Sequence, residues 1–283
     1  MAEVPPMIDA VLRQAVIALA CDAARDILAV YSDDFDVERK SDASPLTEAD
    51  LASHRRIVDG LARLTPDIPV LSEEAEHSVA PHVRRAWQRL WIVDPLDGTR
   101  EFVKRNSEFS VNIALVEDGV STWGVIQAPV SGAVWHGGAG CGAHRREGRD
   151  GSDNALRIRA PAAHPLRVAA SRSHRDGRSE AFIEAMRADG EVTQLNLGSS
   201  LKFCRIAEGG LDLYPRFGPT CEWDTAAGQA ILEGAGGQVV DPRGRPLRYN
   251  VRDTLLNGDF IALGDPAQPW RGWSDAAQRA LMQ

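Results

Sequence analysis

Five carboxylates in this sequence stand where chemistry with a metal ion could occur. Glu73 and Glu74 follow an apolar dipeptide, Asp94 and Asp97 follow an apolar tripeptide, and Asp224 opens a predicted helix. Carboxylates rarely lie beside an apolar core unless they are paired or bind a metal. A ligand set made only of oxygen favours a hard cation such as Mg²⁺. Their joint pattern therefore predicts a magnesium centre.

The central acidic segment reads Asp94-Pro95-Leu96-Asp97-Gly98-Thr99. Proline lacks an N–H group, so the apolar strand before it is expected to end there and turn. This turn would place both aspartates on one side and offer the Leu96 carbonyl as a further hard ligand. The N–H groups of Gly98 and Thr99 could then hold a phosphate.

Each acidic feature also has a plain structural interpretation. Asp94 and Asp97 could be turn residues, Glu73 and Glu74 a solvated charge pair, and Asp224 a helix cap. A phosphatase in which the first aspartate is the nucleophile would carry D-x-D-G-T. Here two residues separate the aspartates, so that chemistry is disfavoured.

Composition narrows the function classes. The 283 residues carry a net charge of −8, which argues against a nucleic-acid polymer as partner. No apolar run is long enough for a transmembrane segment, and no signal peptide is readable, so we predict a cytoplasmic protein. None of the four cysteines forms a CxxC pair, so neither a redox motif nor a structural zinc site is indicated.

Hydrophobic periodicity predicts an α/β protein in which helices and strands alternate. The first half should contain helices at 7–30 and 48–64, a hairpin beginning in 32–40, and strands at 70–71, 90–93, 110–117 and 121–129. A turn at 137–142 and a polar loop at 145–154 lead to a predicted boundary between parts 1–150 and 151–283. The second part should contain strands at 166–170, 211–214 and 238–240, and helices at 180–188, 200–208 and 223–234.

Four motifs together resemble the inositol monophosphatase superfamily of lithium-sensitive, Mg²⁺-dependent phosphatases. They occur in the family's order: Thr47-Glu48-Ala49-Asp50, Ser72-Glu73-Glu74, Trp91-Ile92-Val93-Asp94-Pro95-Leu96-Asp97-Gly98-Thr99, and Trp223-Asp224-Thr225-Ala226-Ala227-Gly228. The resemblance implies a layered αβαβα sandwich of the inositol monophosphatase and fructose bisphosphatase type. It also implies that the two parts form one continuous catalytic unit.

Further segments are similar to the CysQ branch of this superfamily. They are Lys40-Ser41-Asp42 with Ser44-Pro45, Ser171-Arg172-Ser173-His174, the run from Gly198 to Cys204 with Ala207-Glu208-Gly209, and the run from Leu213 to Thr220. Members of that branch resemble 3′(2′),5′-bisphosphate nucleotidases, which hydrolyse 3′-phosphoadenosine 5′-phosphate (PAP) to AMP and phosphate. This implies a role in sulfate assimilation, where PAP is recycled.

The resemblance assigns roles to individual residues. Metal ligands for two or three Mg²⁺ ions would be Glu73, Asp94, Asp97, Asp224 and the Leu96 carbonyl. The catalytic set would be Asp50, Thr99 and Glu73, with Asp50 and Thr99 activating the attacking water. Substrate would contact Glu73, Leu96, Asp97, Gly98, Thr99, Ser199, Lys202, Arg216 and Asp224.

Several alternatives stay open at this stage. The substrate could be an inositol or sugar phosphate, or the chain could be a non-catalytic sensor of nucleotide or metal. Lys202 could lie on a solvated helix face, Arg216 could be a structural cation, and His174 a surface residue. A homodimer and peripheral association with the cytoplasmic face of the inner membrane are also left open.

Overall fold

The computed structural model describes residues 8–32, 37–39, 45–170 and 177–280. The first part of the chain contains α1 (Ala10–Ser32), β1 (Val37–Arg39), β2 (Pro45–Thr47), α2 (Glu48–Leu64), β3 (Val70–Ser72), α3 (Pro81–Arg84), β4 (Arg89–Asp97), α4 (Thr99–Val103), β5 (Ser110–Glu117), β6 (Val120–Gln127), β7 (Ala133–Gly138), β8 (Gly142–Glu147) and β9 (Asn154–Ala155). The second contains β10 (Leu166–Ala170), α5 (Gly177–Asp189), β11 (Val192–Asn196), α6 (Leu201–Ala207), β12 (Leu213–Arg216), α7 (Ala226–Gly234), β13 (Gln238–Val240), β14 (Phe260–Leu263) and α8 (Trp270–Arg279). Short 3-10 helices cover Glu73–Ser78 and Glu222–Asp224.

Two sheets organise these elements. The larger has seven strands in the order β3-β4-β5-β6-β7-β8-β9, antiparallel except for the β3–β4 pair. The smaller has five strands in the order β11-β10-β12-β14-β13, and β10 runs parallel to both of its neighbours. The change of sheet falls between β9 and β10. The predicted parts 1–150 and 151–283 remain a prediction.

The alternation of side chains along β4 shows how the layers form. Trp91 and Val93 point to one face and pack in a cluster with α1 and α2, whereas Leu90 and Ile92 point to the other face and pack with α6 and α7. Both faces are apolar because helices cover both sides of this sheet.

The five-stranded sheet is covered in the same way. Its residues Tyr214 and Phe260 face the α6–α7 layer, and Val168 and Ile261 pack against α5 and α8. The order of layers is therefore helix, sheet, helix, sheet, helix. This confirms the predicted αβαβα sandwich.

Some local predictions were wrong. The strand predicted at 90–93 does not end at Asp94, because β4 continues to Asp97 through an irregularity in its pairing with β5. Pro95 lies within that irregularity. Regular pairing is interrupted there, so no hydrogen bond between strands is lost although proline has no N–H group. The helix predicted at 223–234 is broken at Thr225, whose φ of −124° is not helical.

The turn predicted at 137–142 is confirmed, because it connects β7 to β8, but β8 and the start of β9 occupy part of the polar loop predicted at 145–154. The arginines of β8 obscured the alternation that predicts a strand. Arg146 is buried in the structure, and its ion pair with Asp153 makes that burial possible. Strands β11 and β14 and helix α8 were not predicted either. The hairpin is confirmed by the antiparallel pairing of β1 with β2. Of the helices in the described parts, none has the length and apolar character that a bilayer crossing requires.

Candidate active site

The end of β4 presents two of the predicted carboxylates. Asp94 is buried, and its Oδ1 accepts a hydrogen bond of 3.0 Å from the Leu96 N–H group. Ser53 of α2 donates to the Pro95 carbonyl at 2.7 Å, which fixes the same turn from the helix side. Asp97 lies at the end of the strand and is half-buried.

The third carboxylate comes from the second half of the chain. Asp224 ends the 3-10 helix Glu222–Asp224, and its Oδ2 accepts a 2.7 Å hydrogen bond from the Cys221 N–H group. It is therefore a capping residue, as the plain interpretation held. Even so, carboxylate oxygens of Asp94, Asp97 and Asp224 lie within 4.8 Å of one another.

The electrostatics of this cluster favour a bound cation. Burial raises the pKa of Asp94 well above its usual range, and the charges of Glu73, Asp97 and Asp224 add to that effect. Burial and the nearby Asp97 likewise raise the pKa of Asp224. Mutual repulsion of this kind is relieved when a cation lies between the carboxylates. An all-oxygen donor set fits a hard divalent ion.

Glu73 reaches the same cluster from the end of β3. It begins the 3-10 helix Glu73–Ser78, and its carboxyl group is within hydrogen-bonding range of Asp94. Both Glu73 and Glu74 are half-buried. The structure thus brings together the four carboxylates that the motifs selected.

The predicted pair Asp50 and Thr99 is also in contact. The Thr99 hydroxyl lies 3.2 Å from both Asp50 Oδ1 and the Leu96 carbonyl oxygen, so its one proton serves either acceptor. The other Asp50 oxygen accepts from the N–H group (2.8 Å) and the hydroxyl (2.6 Å) of Thr47. Asp50 is thereby held as an acceptor for Thr99.

Gly98 connects this pair to the rest of the site. Its φ of +89° lies in the left-handed region, and a Cβ there would come within 3.1 Å of the Glu108 carbonyl oxygen. Only glycine adopts this conformation without strain. α4 can therefore begin at Thr99, two residues after Asp97.

A cavity of about 150 Å³ opens beside the carboxylates. Its lining includes Asp97, Gly98, Ser199, Lys202, Arg216 and Asp224. Six of the nine residues that the resemblance linked to substrate therefore line one pocket, whereas Glu73, Leu96 and Thr99 are not part of its lining. The matching segments at 40–44 and 171–174, including His174, lie outside the described residues.

Lys202 is not on a solvated face. Its side chain is buried, and its Nζ donates a 2.9 Å hydrogen bond to the Ser199 carbonyl. Burial lowers its pKa to about 8, although the charge of Asp97 acts in the opposite direction. A buried cation without a paired carboxylate is costly, and an anion in the pocket would offset that cost.

Arg216 faces the same pocket from the end of β12. Its Nη2 donates to the Pro219 carbonyl at 3.0 Å. Its buried Nε has no hydrogen-bond partner within the described ranges. The cavity beside the three carboxylates is therefore lined by Lys202, Arg216 and the exposed Arg100, which suits a bound metal together with an anionic ligand.

Sequence reasoning missed the residues that orient Asp97. The Ser200 N–H group and hydroxyl lie 2.6 Å and 2.5 Å from Asp97 Oδ2. The same hydroxyl lies 2.7 Å from the Asp224 carbonyl, and Asn112 Nδ2 donates to it at 2.9 Å. The one available signal was that Asn112 is a polar residue inside an apolar strand.

The fold and site together define a class: a layered α/β protein with an oxygen-only cation centre beside an anion-binding pocket. A model described as the inositol monophosphatase family matches residues 9–268. The chain belongs to the inositol monophosphatase family, whose members are metal-dependent.

Individual relatives and structures agree with that assignment. The 3′(2′),5′-bisphosphate nucleotidase CysQ of Escherichia coli (strain K12) is 45% identical over 253 residues, covering 87% of this chain and 96% of the relative. The crystal structure of CysQ from Bacteroides thetaiotaomicron is 41% identical with a TM-score of 0.77, covering 88% and 95% of the two chains. An inositol monophosphatase structure from Thermotoga maritima is 26% identical with a TM-score of 0.76, covering 94% and 96%.

Proposed function

We propose that this chain is a Mg²⁺-dependent 3′(2′),5′-bisphosphate nucleotidase that hydrolyses PAP to AMP and phosphate. The main supporting observation is that the Asp94, Asp97 and Asp224 cluster opens onto a pocket lined by three cations, of which Lys202 is buried. The similarity to CysQ nucleotidases over most of the chain supports the same substrate. PAP carries two phosphates, so it needs cations beyond those that serve the reacting group.

The proposed cation site uses Glu73, Asp94, Asp97, Asp224 and the Leu96 carbonyl for two or three Mg²⁺ ions. When bound, these ions would supply Lewis-acid chemistry and lower the pKa of water. The oxygen-only donors and the raised pKa of Asp94 and Asp224 support this assignment. The ligands come from both predicted parts, which supports treating 1–150 and 151–283 as one catalytic unit.

The chain's own residues would handle the proton of the attacking water. The Thr99 hydroxyl donates a hydrogen bond to Asp50. The Thr99 oxygen is then free to accept a hydrogen bond from the attacking water. The water oxygen forms a bond to phosphorus as the bond to the ribose 3′ oxygen breaks. The proton lost by water passes through Thr99 to Asp50, and the departing 3′ oxygen takes a proton from solvent.

Substrate orientation falls to the pocket. The N–H groups of Gly98 and Thr99 are proposed to hold the reacting phosphate, with Glu73 beside the water. Ser199, Lys202 and Arg216 are proposed to hold the nucleotide and its second phosphate. That phosphate would give the buried Lys202 the counter-charge that its surroundings provide only in part.

Replacing the positively charged side chain of Arg216 tests the substrate assignment. Arg216→Gln should lower kcat/KM for PAP by about 10- to 100-fold, because a charge-assisted hydrogen bond to the second phosphate is lost. The same variant should hydrolyse 3′-AMP, which lacks the 5′-phosphate, nearly as well as wild type. Phosphate release from both compounds, and from inositol 1-phosphate, is the measurement.

The alternative outcomes separate the candidate functions. Equal losses for PAP and 3′-AMP would contradict the role of Arg216 in binding the second phosphate. A wild-type preference for inositol 1-phosphate over PAP would instead favour an inositol phosphatase. That second candidate has support from the likeness to the Thermotoga maritima inositol monophosphatase.

A further inference from the structure

A loop near the C-terminal end of the chain forms several hydrogen bonds to the turn that carries Asp224. We call residues 249–257 the clasp. Its Asn250 N–H group donates to Glu222 Oε2 at 2.7 Å, and Arg252 Nη2 donates to Glu222 Oε1 at 3.1 Å. Glu222 is fully buried and begins the 3-10 helix that ends at Asp224. Both of its carboxylate oxygens are therefore held by the clasp.

Residues at the C-terminal end of the clasp form further hydrogen bonds to the same turn. Asn257 Nδ2 donates to the Cys221 carbonyl at 2.8 Å and lies 2.9 Å from Thr225 Oγ1. The Leu255 carbonyl accepts from the Glu222 N–H group at 2.9 Å. Backbone or side-chain groups on both sides of Asp224 are thus fixed.

The clasp is in turn attached to the first half of the chain through Arg84. Arg84 Nη1 donates to Asn250 Oδ1 at 2.9 Å, and Asn250 Nδ2 donates back to the Arg84 carbonyl at 2.6 Å. Arg84 Nη2 also donates to the Asp253 carbonyl. Arg84 ends α3, a short distance along the chain from the 3-10 helix that begins at Glu73. The network therefore connects the turn that carries Asp224 to α3, the helix that follows the Glu73 segment along the chain.

The burial of Arg84 and the backbone conformation of Asn250 both favour this contact. Arg84 is only 2% exposed, and a buried guanidinium is tolerated where hydrogen bonds satisfy it. Asn250 has a φ of +56°, a left-handed conformation that asparagine accepts more readily than most residues. Its side chain is thereby aimed at Arg84 while its N–H group reaches Glu222.

We propose that Arg84 and Asn250 are positioning residues that set the separation of the Glu73 and Asp224 segments and so tune divalent-cation affinity. The inference rests on the proposed function, because it takes these carboxylates to be metal ligands. Residues that orient metal ligands without touching the ion commonly contribute about 10- to 100-fold to affinity. The clasp would act in this way through the residues on both sides of Asp224.

The test is calorimetric titration of the full chain with Mn²⁺, which is used in place of Mg²⁺. Arg84→Met should weaken Mn²⁺ binding by about 10-fold or more. Asn250→Gly should do the same, because it keeps the left-handed backbone and its N–H group but removes both side-chain hydrogen bonds. The matched control is Arg146→Met, which removes another buried arginine, one bonded to Asp153 and Gln14.

The control variant should lose thermal stability yet bind Mn²⁺ as wild type does. Equal Mn²⁺ affinity in wild type, Arg84→Met and Asn250→Gly would overturn the inference and leave the proposed function intact. Equal weakening in Arg146→Met would also overturn it, since general destabilisation would then explain the loss. A wild-type chain that bound no Mn²⁺ would overturn the proposed metal centre and this inference with it.

Discussion

Lys202 gives the site its clearest dependence on pH. Burial lowers its pKa from 10.5 to about 8, so the side chain is charged below that pH and neutral above it. In the unfolded chain this lysine would keep its proton up to a higher pH. Burial of the charged side chain therefore lowers the free energy of unfolding most below about pH 8, and this destabilisation becomes smaller as the pH rises. The charge that we assign to phosphate binding disappears over the same range.

We therefore expect the KM of wild type for PAP to rise between about pH 7 and about pH 9. Lys202→Met should raise KM about 10- to 100-fold at neutral pH, because one charge-assisted hydrogen bond is lost. Its KM should then vary little over that range. Steady-state kinetics across the range would check this, and a variant profile parallel to that of wild type would contradict it.

Residue types pointed to the clustered carboxylates but not to the residues that hold them. Asp94, Asp97 and Asp224 were predictable because carboxylates beside apolar runs need an explanation. The burial of Lys202 was not, since a helical lysine usually faces solvent. Ser200 was missed because a serine that fixes a carboxylate looks in sequence like any other small polar residue.

Among the elements, β6 packs closely against α7, the helix that follows Asp224. A Cβ at Gly124 would lie 2.7 Å from the Cα and carbonyl oxygen of Ala227, and α7 begins two residues after Asp224. Since backbone atoms are the obstacle, one element must move if this glycine is replaced. Movement of α7 would shift the Asp224 carboxylate.

Gly124→Ala should therefore lower the free energy of unfolding by about 1–3 kcal/mol and lower kcat. Gly272→Ala is the matched control, because its added methyl group meets no atom within 4 Å and lies in helix α8. It should leave kcat unchanged and stabilise the helix by up to about 1 kcal/mol. Urea unfolding and turnover assays give both quantities. Unchanged stability in Gly124→Ala would show that the two elements are not in tight contact.

Elements with clean periodicity were predictable, and elements carrying buried polar groups were not. The bounds of α2, β5, β10 and β13 agree with their hydrophobic patterns. Strand β8 was missed because Arg146 makes it look like a loop, although an ion pair to Asp153 allows the burial. Strand β4 was predicted too short, because a proline usually ends a ladder and here lies in an irregularity.

The whole molecule assembles its site from segments far apart in the chain. Asn112 contacts Ser200, and Arg84 contacts Asn250, so each half orients groups of the other. The layered order was predictable because the motifs resemble a family with a known fold. These contacts were not, since they depend on how two sheets and the α6–α7 layer meet rather than on any local pattern.

The central claim is that this assembled centre hydrolyses PAP with the help of Mg²⁺ held by Asp94. The most direct measurement is phosphate release from PAP by wild type and Asp94→Asn, each with and without Mg²⁺. We predict release by wild type only when Mg²⁺ is present, and almost none from a folded Asp94→Asn chain, since a buried ligand and its charge are lost. Full turnover by Asp94→Asn, or release by wild type that is indifferent to Mg²⁺, would contradict the account.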